Sequence, residues 1–396
     1  MKWIVAVLIP VCLAVSGCAG APGASPAQAG SSGPARSSSD RALAGMDSAF
    51  SGSSASPGRA SPAEVSAGAM QLVQSEGRKP SWVDDPYAGF PRSEYFAAVG
   101  SGGDRFSAER NALVALTGLF GQNIQAELRS LSFYTETVSQ GRVQFAESAA
   151  LEEAISTTTQ LDTLVGAEIR GVWDSGRSGV FAVAVMEKAQ SRGLYAGMIR
   201  ANNRLLDALI SIPAQQRNSL DGYARWRFAA LVADANVIYG RVLTMLGGDP
   251  GIDTSALRGG NEYRLEMNAI PGNIPVTIRV SQDRSNRIQG AFTDAVSRAG
   301  FRTTGRGGRY LLDVTVSLDP IEYPNNANKF CRGIVNANLI DTRDNQVIYP
   351  FTLTTDREGH VTLAEAENRV IRTIVERVAG TYAQGLSDFL SVLLPR

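Results

Sequence analysis

The first eighty residues limit what the rest of this chain can fold into. Lys2 precedes an apolar run, Trp3–Val15, which closes on Val15-Ser16-Gly17 just ahead of Cys18. A positive start, a short apolar stretch and small residues before a cut mark an export signal that is removed. The run is too short to span a bilayer. Residues 19–80 are dominated by Gly, Ala, Ser and Pro, with few large apolar side chains. Such a segment buries too little surface to offset the entropy of ordering, and it reads as a disordered tether. About 60 residues of this kind reach roughly 40–50 Å as a random coil. Folding is thereby confined to about residues 81–396.

The hexapeptide LAVSGC at Leu13–Cys18 resembles a bacterial lipobox. That resemblance implies a signal peptide over residues 1–17 and acylation of Cys18, palmitate-type chains included, as the new N-terminus. It also implies a lipoprotein of the cell envelope. Ala19, not Asp, follows the cysteine, which points to the outer membrane with the chain facing the periplasm. Cys12 leaves with the signal, so Cys331 is the remaining thiol, with no partner for an internal disulfide. It reads as a small buried apolar residue. No other run approaches the ~20 apolar residues of a spanning helix, so acyl chains on Cys18 are the expected link to a membrane. Lys plus Arg equals Asp plus Glu at 38 each, and no net field argues for a nucleic-acid partner.

After the tether, Tyr95–Val99 is a short apolar run that reads as a strand ended by Gly100. Ser107 is a candidate N-cap for a helix with Ala108, Ala112, Ala115, Leu116 and Leu119 as its buried stripe. Ile124, Ala126 and Leu128 alternate with polar residues and predict a half-buried strand. A helix is expected over 147–162, then strands over Val165–Trp173 and Val180–Met186 around a Gly-rich turn. Residues 191–248 read as a helical hairpin. Tyr195, Met198, Ile199, Asn202, Leu205, Leu206 and Leu209 form one stripe. Leu220, Ala224, Phe228, Leu231, Ala235, Ile238 and Val242 form the other. Asn202 inside the first stripe is either a satisfied core amide or a register-setting polar residue. Gly247–Gly251 is a breaker and marks a boundary. Residues 252–270 read as connecting structure.

A second pattern occupies 252–396. A strand through Val276, Ile278 and Val280 leads into a helix over Ser285–Ala299 ended by Gly300. Alternating strands follow through Leu312–Leu318, Val335–Leu339 and Val347–Leu353. A long closing helix carries Val370, Ile371, Ile374, Val375, Val378, Tyr382, Leu386, Phe389 and Leu390 inward. The expected fold class is α+β: a lipid-anchored tether, then two α+β layer modules, 81–190 and 252–396, with the hairpin between them.

SWV at Ser81–Val83, YFAAVGSG at Tyr95–Gly102, the Ala-rich helix after it and VFAVAVMEKAQ at Val180–Gln190 together resemble the Lpp-twenty family of bacterial lipoproteins over about residues 80–190. That resemblance implies a cell-envelope lipoprotein and supplies no catalytic residues. The pattern of 252–396 is similar to small periplasmic accessory domains, such as the amino-terminal domain of TolB and the middle domain of flagellar assembly protein T.

Chemistry-bearing candidates are few. His360 is the one histidine; it sits at the expected start of the closing helix and reads as a loop or capping residue. No Cys/His cluster has metal-ligand spacing, and no Gly-x-Ser-x-Gly elbow follows a strand. Gly100-Ser101-Gly102-Gly103-Asp104 lies between a strand and a helix, where backbone N–H groups hold anions in other folds. It lacks both the Walker ending and the full dinucleotide fingerprint, and it reads as a tight connection. Asp84-Asp85 and Glu152-Glu153 read as solvated surface pairs. The expectation is a non-enzymatic envelope lipoprotein with no catalytic, metal-binding or cofactor-binding residues. It would bind or scaffold an envelope assembly, such as the flagellar base or the cell-wall synthesis apparatus, through an envelope protein or peptidoglycan. Two-carboxylate chemistry on peptidoglycan and an apolar pocket for a small-molecule carrier are the alternatives.

Overall fold

A computed structural model of the chain describes residues 73–74, 77–121, 126–127, 131–139, 142 and 164–395. Cys18, the signal, most of the tether, Ile124, Leu128, Glu152, Glu153 and the helix expected over 147–162 lie outside the described residues. The architecture is α+β, with two sheets and helices against them.

The first sheet has the order β1-β3-β4-β2, from β1 (Val73–Gln74), β2 (Tyr95–Gly102), β3 (Ala167–Asp174) and β4 (Val180–Glu187). β3 and β4 are the inner strands, and the residues Ala182–Met186 of β4 are all buried. This is why its sequence is a continuous apolar run rather than an alternation. β2 pairs with it antiparallel, from Tyr95 opposite Glu187 to Gly102 opposite Val180. Of the segments quoted above for the family resemblance, Tyr95–Gly102 is the edge strand β2, Val180–Glu187 the inner strand β4 beside it, and Ser81–Val83 a 3-10 turn. On one face, Trp82, Tyr87, Phe90 and Tyr95 pack over Ala97, Val183 and Val185.

The other face carries α1 (Arg105–Gly118). Its N-cap is Asp104, three residues before the expected Ser107. Asp104 Oδ1 accepts from the Ser107 backbone N–H at 2.8 Å and Oδ2 from the Ser107 hydroxyl at 3.0 Å, and these bonds hold its carboxyl below the usual carboxylate pKa. The buried stripe is Ala108, Ala112, Leu113, Leu116 and Thr117; Ala115 and Leu119 lie outside it. The strand expected over Ile124–Leu128 is also corrected, because Ala126 and Glu127 are helical. Ile124 and Leu128 are four apart, which suits one helix face as well as it suits a strand. α2 (Ser132–Ser139) follows.

The hairpin is α3 (Lys188–Ile210), a short α4 (Ala214–Arg217) and α5 (Leu220–Met245). All seven residues of the first stripe are buried, and six of the second; Leu231 is half-buried. α5 buries 15 of its 26 residues, on more than one side. Among the described residues it is the helix long and apolar enough to cross a membrane, against the expectation that no such run follows the signal. Yet 67% of that window is buried within the protein. A helix apolar nearly all round is here a core helix.

Asp249 and Gly247, Gly248 and Gly251 take positive φ and turn the chain after α5. Residues 252–270, read as connecting structure, include α6 (Gly260–Ala269). It packs on α5, where Asp234 accepts from the Gly260 N–H and pairs with Arg264.

The second sheet is ordered β10-β8-β7-β5-β6, with β9 also on β8. Its elements run β5 (Pro275–Ser281), α7 (Arg287–Arg298), β6 (Arg302–Thr304), β7 (Tyr310–Ile321), β8 (Lys329–Asp341), β9 (Gln346–Thr354) and β10 (Glu358–His360). Then come α8 (Leu363–Arg377), a π turn over Val378–Tyr382, and α9 (Ala383–Val392), which together make the closing helix. α7 buries Ile288, Ala291, Phe292, Ala295 and Val296 as its spacing predicts, and Gly300 ends it at φ +88°. The alternation expected for β9 is broken by a bulge: Leu339 faces Tyr349 and Ile340 faces Val347. Ile348 is the extra residue and reaches the core, while Val347 is turned out.

The two large cores share elements. Leu220, Tyr223 and Trp226 of α5 join the core of the second sheet, whereas Phe228 onward join that of the first. Ile252, Leu257, Tyr263 and Leu394, from beyond the turn at 247–251, pack on the first core.

Candidate functional site

The start of α5 meets the second sheet in a cleft of about 350 Å³. Ser219 caps the helix: its hydroxyl accepts from the Gly222 N–H at 3.0 Å. The Leu220 N–H is satisfied across the sequence by the hydroxyl of Tyr310, at 3.0 Å. Tyr310 begins β7 and is 1% exposed. Burial raises its pKa, opposed by the bond from Leu220 and the charge of Arg309, so the hydroxyl stays neutral.

Opposite Tyr310 in the antiparallel ladder stands Asp341, the last residue of β8. Its side chain is 7% exposed and both oxygens are engaged. Oδ2 accepts from Arg309 Nε at 3.2 Å, Arg309 Nη2 at 3.1 Å and Arg343 Nη2 at 3.0 Å. Oδ1 accepts from the Arg343 N–H at 3.1 Å and Nε at 3.3 Å. A buried carboxylate is tolerated when paired and fully hydrogen-bonded in this way, and it holds two guanidinium groups at the cleft wall. Arg309 also lies over the Tyr310 ring, 5.1 Å from its centroid. On the α5 side Arg225 pairs with Asp221 at 2.8 Å. Ile348, Leu393 and Leu394 supply apolar surface and Asp344 a further carboxylate.

The residues singled out from sequence do not come together here. His360 lies on the edge strand β10, not in the closing helix, half-buried, with Nδ1 3.4 Å from the Thr362 N–H. Cys331 is buried in the second core, and burial pushes its thiol up. Asp84 pairs with Lys79, and Asp85 accepts from the Tyr87 N–H at 3.0 Å; both are exposed. The Gly100–Asp104 segment is closed by α1. A Cβ on Gly100 would lie 2.0 Å from Ala112 N, and one on Gly102 2.6 Å from Ala108 N. Asn111 Nδ2 fills in by donating to the Ser101 carbonyl at 2.8 Å. Among the described residues no group of three His, Cys, Asp or Glu side chains converges as a metal site. The cleft residues carry little local signal. The Asp221–Arg225 spacing is a readable i,i+4 pair, whereas Tyr310 and Asp341 meet only through strand register.

Neither a protein-family profile nor a curated protein matches this chain. Solved structures resemble it in part. A secreted protein of Helicobacter pylori aligns over 74% of this chain and 98% of its own, at 11% identity and a TM-score of 0.39. A minor lipoprotein of Acinetobacter baumannii covers 29% of this chain and 92% of its own, at 14% identity and a TM-score of 0.23. A chain from Caulobacter crescentus described as a lipoprotein covers 29% and 87%, at 14% and 0.20. At that level of likeness, function must be read from this chain's own residues.

Proposed function

We propose that this chain is a lipid-anchored protein of the cell envelope that acts by binding. Acyl chains on Cys18 hold it at the outer membrane, the segment to about residue 72, short of β1, is a spacer, and the folded part meets an envelope partner or peptidoglycan in the periplasm. The observation that carries this reading is LAVSGC at Leu13–Cys18, followed at once by the Gly/Ala/Ser/Pro stretch. The Lpp-twenty resemblance of about 80–190 and the resemblance of 252–396 to periplasmic accessory domains agree with it. Membership of an envelope assembly, at the flagellar base or in cell-wall synthesis, follows from the same resemblances. The cleft at the start of α5 is the proposed contact site. Its charged groups favour recognition over two-carboxylate hydrolysis, because Asp221 and Asp341 are each tied to arginine.

Mass spectrometry of the mature N-terminus tests the anchor. The expected product begins at Cys18 and carries acyl mass, and Cys18→Ala abolishes that mass. A mature chain beginning elsewhere without lipid overturns the reading.

A further inference from the structure

Three guanidinium groups line one small cleft, and two of them are pre-set. We propose that the cleft binds a small oxyanion, a carboxylate or a phosphate, beside a short apolar group. The proposal rests on the reading of this cleft as the contact site and names the chemistry it accepts.

An arginine offers five N–H donors in a planar fork. Asp341 takes the Nε and Nη2 side of both Arg309 and Arg343, and Arg309 also bonds to the Tyr310 hydroxyl, so it is above all the outer N–H bonds of Arg343 that are left for the cleft. Arg343 stays open to it, with its side chain 60% exposed, while Arg309 is held at 18%. A free arginine loses much rotamer freedom when it binds a ligand. Here a buried carboxylate has already fixed the forks, so that cost falls on folding. Forks of this geometry match the paired oxygens of a carboxylate or phosphate.

Arg225 adds a third cation from the helix side. The N–H groups of Leu220, Gly222 and Tyr223 are already taken, so the start of α5 contributes a positive field rather than donors. The lining balances three arginines with Asp221, Asp341 and Asp344. Selection therefore comes from fork geometry rather than net charge, which suits a single oxyanion and not a polyanion. Leu220, Ile348, Leu393 and Leu394 form the apolar wall. The volume is at the small end of ligand clefts, which run from about 300 Å³ upward.

The test is isothermal titration of the full-length chain in detergent with three probes: inorganic phosphate, N-acetyl-leucine and the neutral N-acetyl-leucinamide. We expect saturable one-to-one binding of at least one of the two anions at millimolar or lower concentration, and none of the amide. Phosphate alone or the acid alone identifies the source. Arg343→Gln should weaken binding about tenfold or more, the loss expected for a charge-assisted hydrogen bond. Arg343→Lys, which keeps the charge but not the fork, should weaken it as well. Arg110→Gln, on the exposed face of α1, should bind as the parent does. Failure of both anions to bind, equal binding of the amide and the acid, or full-strength binding by Arg343→Gln overturns the proposal. The amide comparison needs no variant and so holds whatever the substitutions do to folding. A chain that captured its envelope partner yet ignored both anions would refute this inference and leave the binding reading standing.

Discussion

Asn202 is buried in the first core with both polar atoms of its amide engaged. Its Oδ1 accepts from the Tyr134 hydroxyl at 2.6 Å, and its Nδ2 donates to Asn236 Oδ1 at 2.8 Å. Asn236 in turn donates to Asn203 Oδ1 at 2.8 Å. The polar ladder joins α2, α3 and α5 across an otherwise apolar interior. Sequence left two meanings open for this asparagine, and the structure supports the satisfied core amide. Asn202→Ala strands both the Tyr134 hydroxyl and the Asn236 amide oxygen, so it should cost about 2–6 kcal/mol, roughly 1–3 for each unpaired buried group. Urea unfolding of the two proteins measures this, and a loss below about 0.5 kcal/mol would show that the ladder is not a structural constraint. Residues of this kind are legible because a 3.6-residue stripe tells which face is buried. Arg309, Asp341 and Arg343 were not legible. Their meeting with Leu220 depends on register across strands and on a contact spanning 90 residues, which no local pattern records.

At the scale of elements, β2 against α1 shows how a correct residue can be given the wrong reason. Gly100 looked like the end of a strand, but β2 runs on to Gly102. The glycine is needed because the backbone of α1 passes directly over it, with Ala112 N 2.0 Å from where a Cβ would stand. Close backbone approach is the other common meaning of glycine inside a strand. Gly100→Ala must push helix and strand apart, at a cost of about 3 kcal/mol. Gly103→Ala, where nothing lies within 4 Å of the added carbon, should be tolerated. Chemical denaturation of the two variants side by side is the measurement, and equal midpoints would contradict the geometry. The misreadings at Ala126–Glu127 and Val347 have related causes: a short alternation fits two periods, and a bulge moves one residue to the opposite face.

At the scale of the whole molecule, the sequence boundary at Gly247–Gly251 coincides with a turn, but packing crosses it. α5 serves both large cores, and the C-terminal residues Leu393 and Leu394 divide between them. The cleft is formed where those shared pieces meet the second sheet, so its integrity depends on both sides of the turn. The proposed role adds reach: a spacer sets how far the folded part travels from the lipid and at what effective concentration it finds its partner. Both ideas come together in one measurement, in-cell photo-cross-linking from a reactive residue placed at position 343. It is made with residues 20–71 present, deleted, or replaced by an unrelated Gly/Ser sequence of equal length. A binding protein on a passive spacer predicts a discrete adduct in the first case, its loss in the second and its return in the third. No adduct from the cleft in any form, or an undiminished adduct after deletion, would contradict the claim that this chain works by reaching a partner and binding it there.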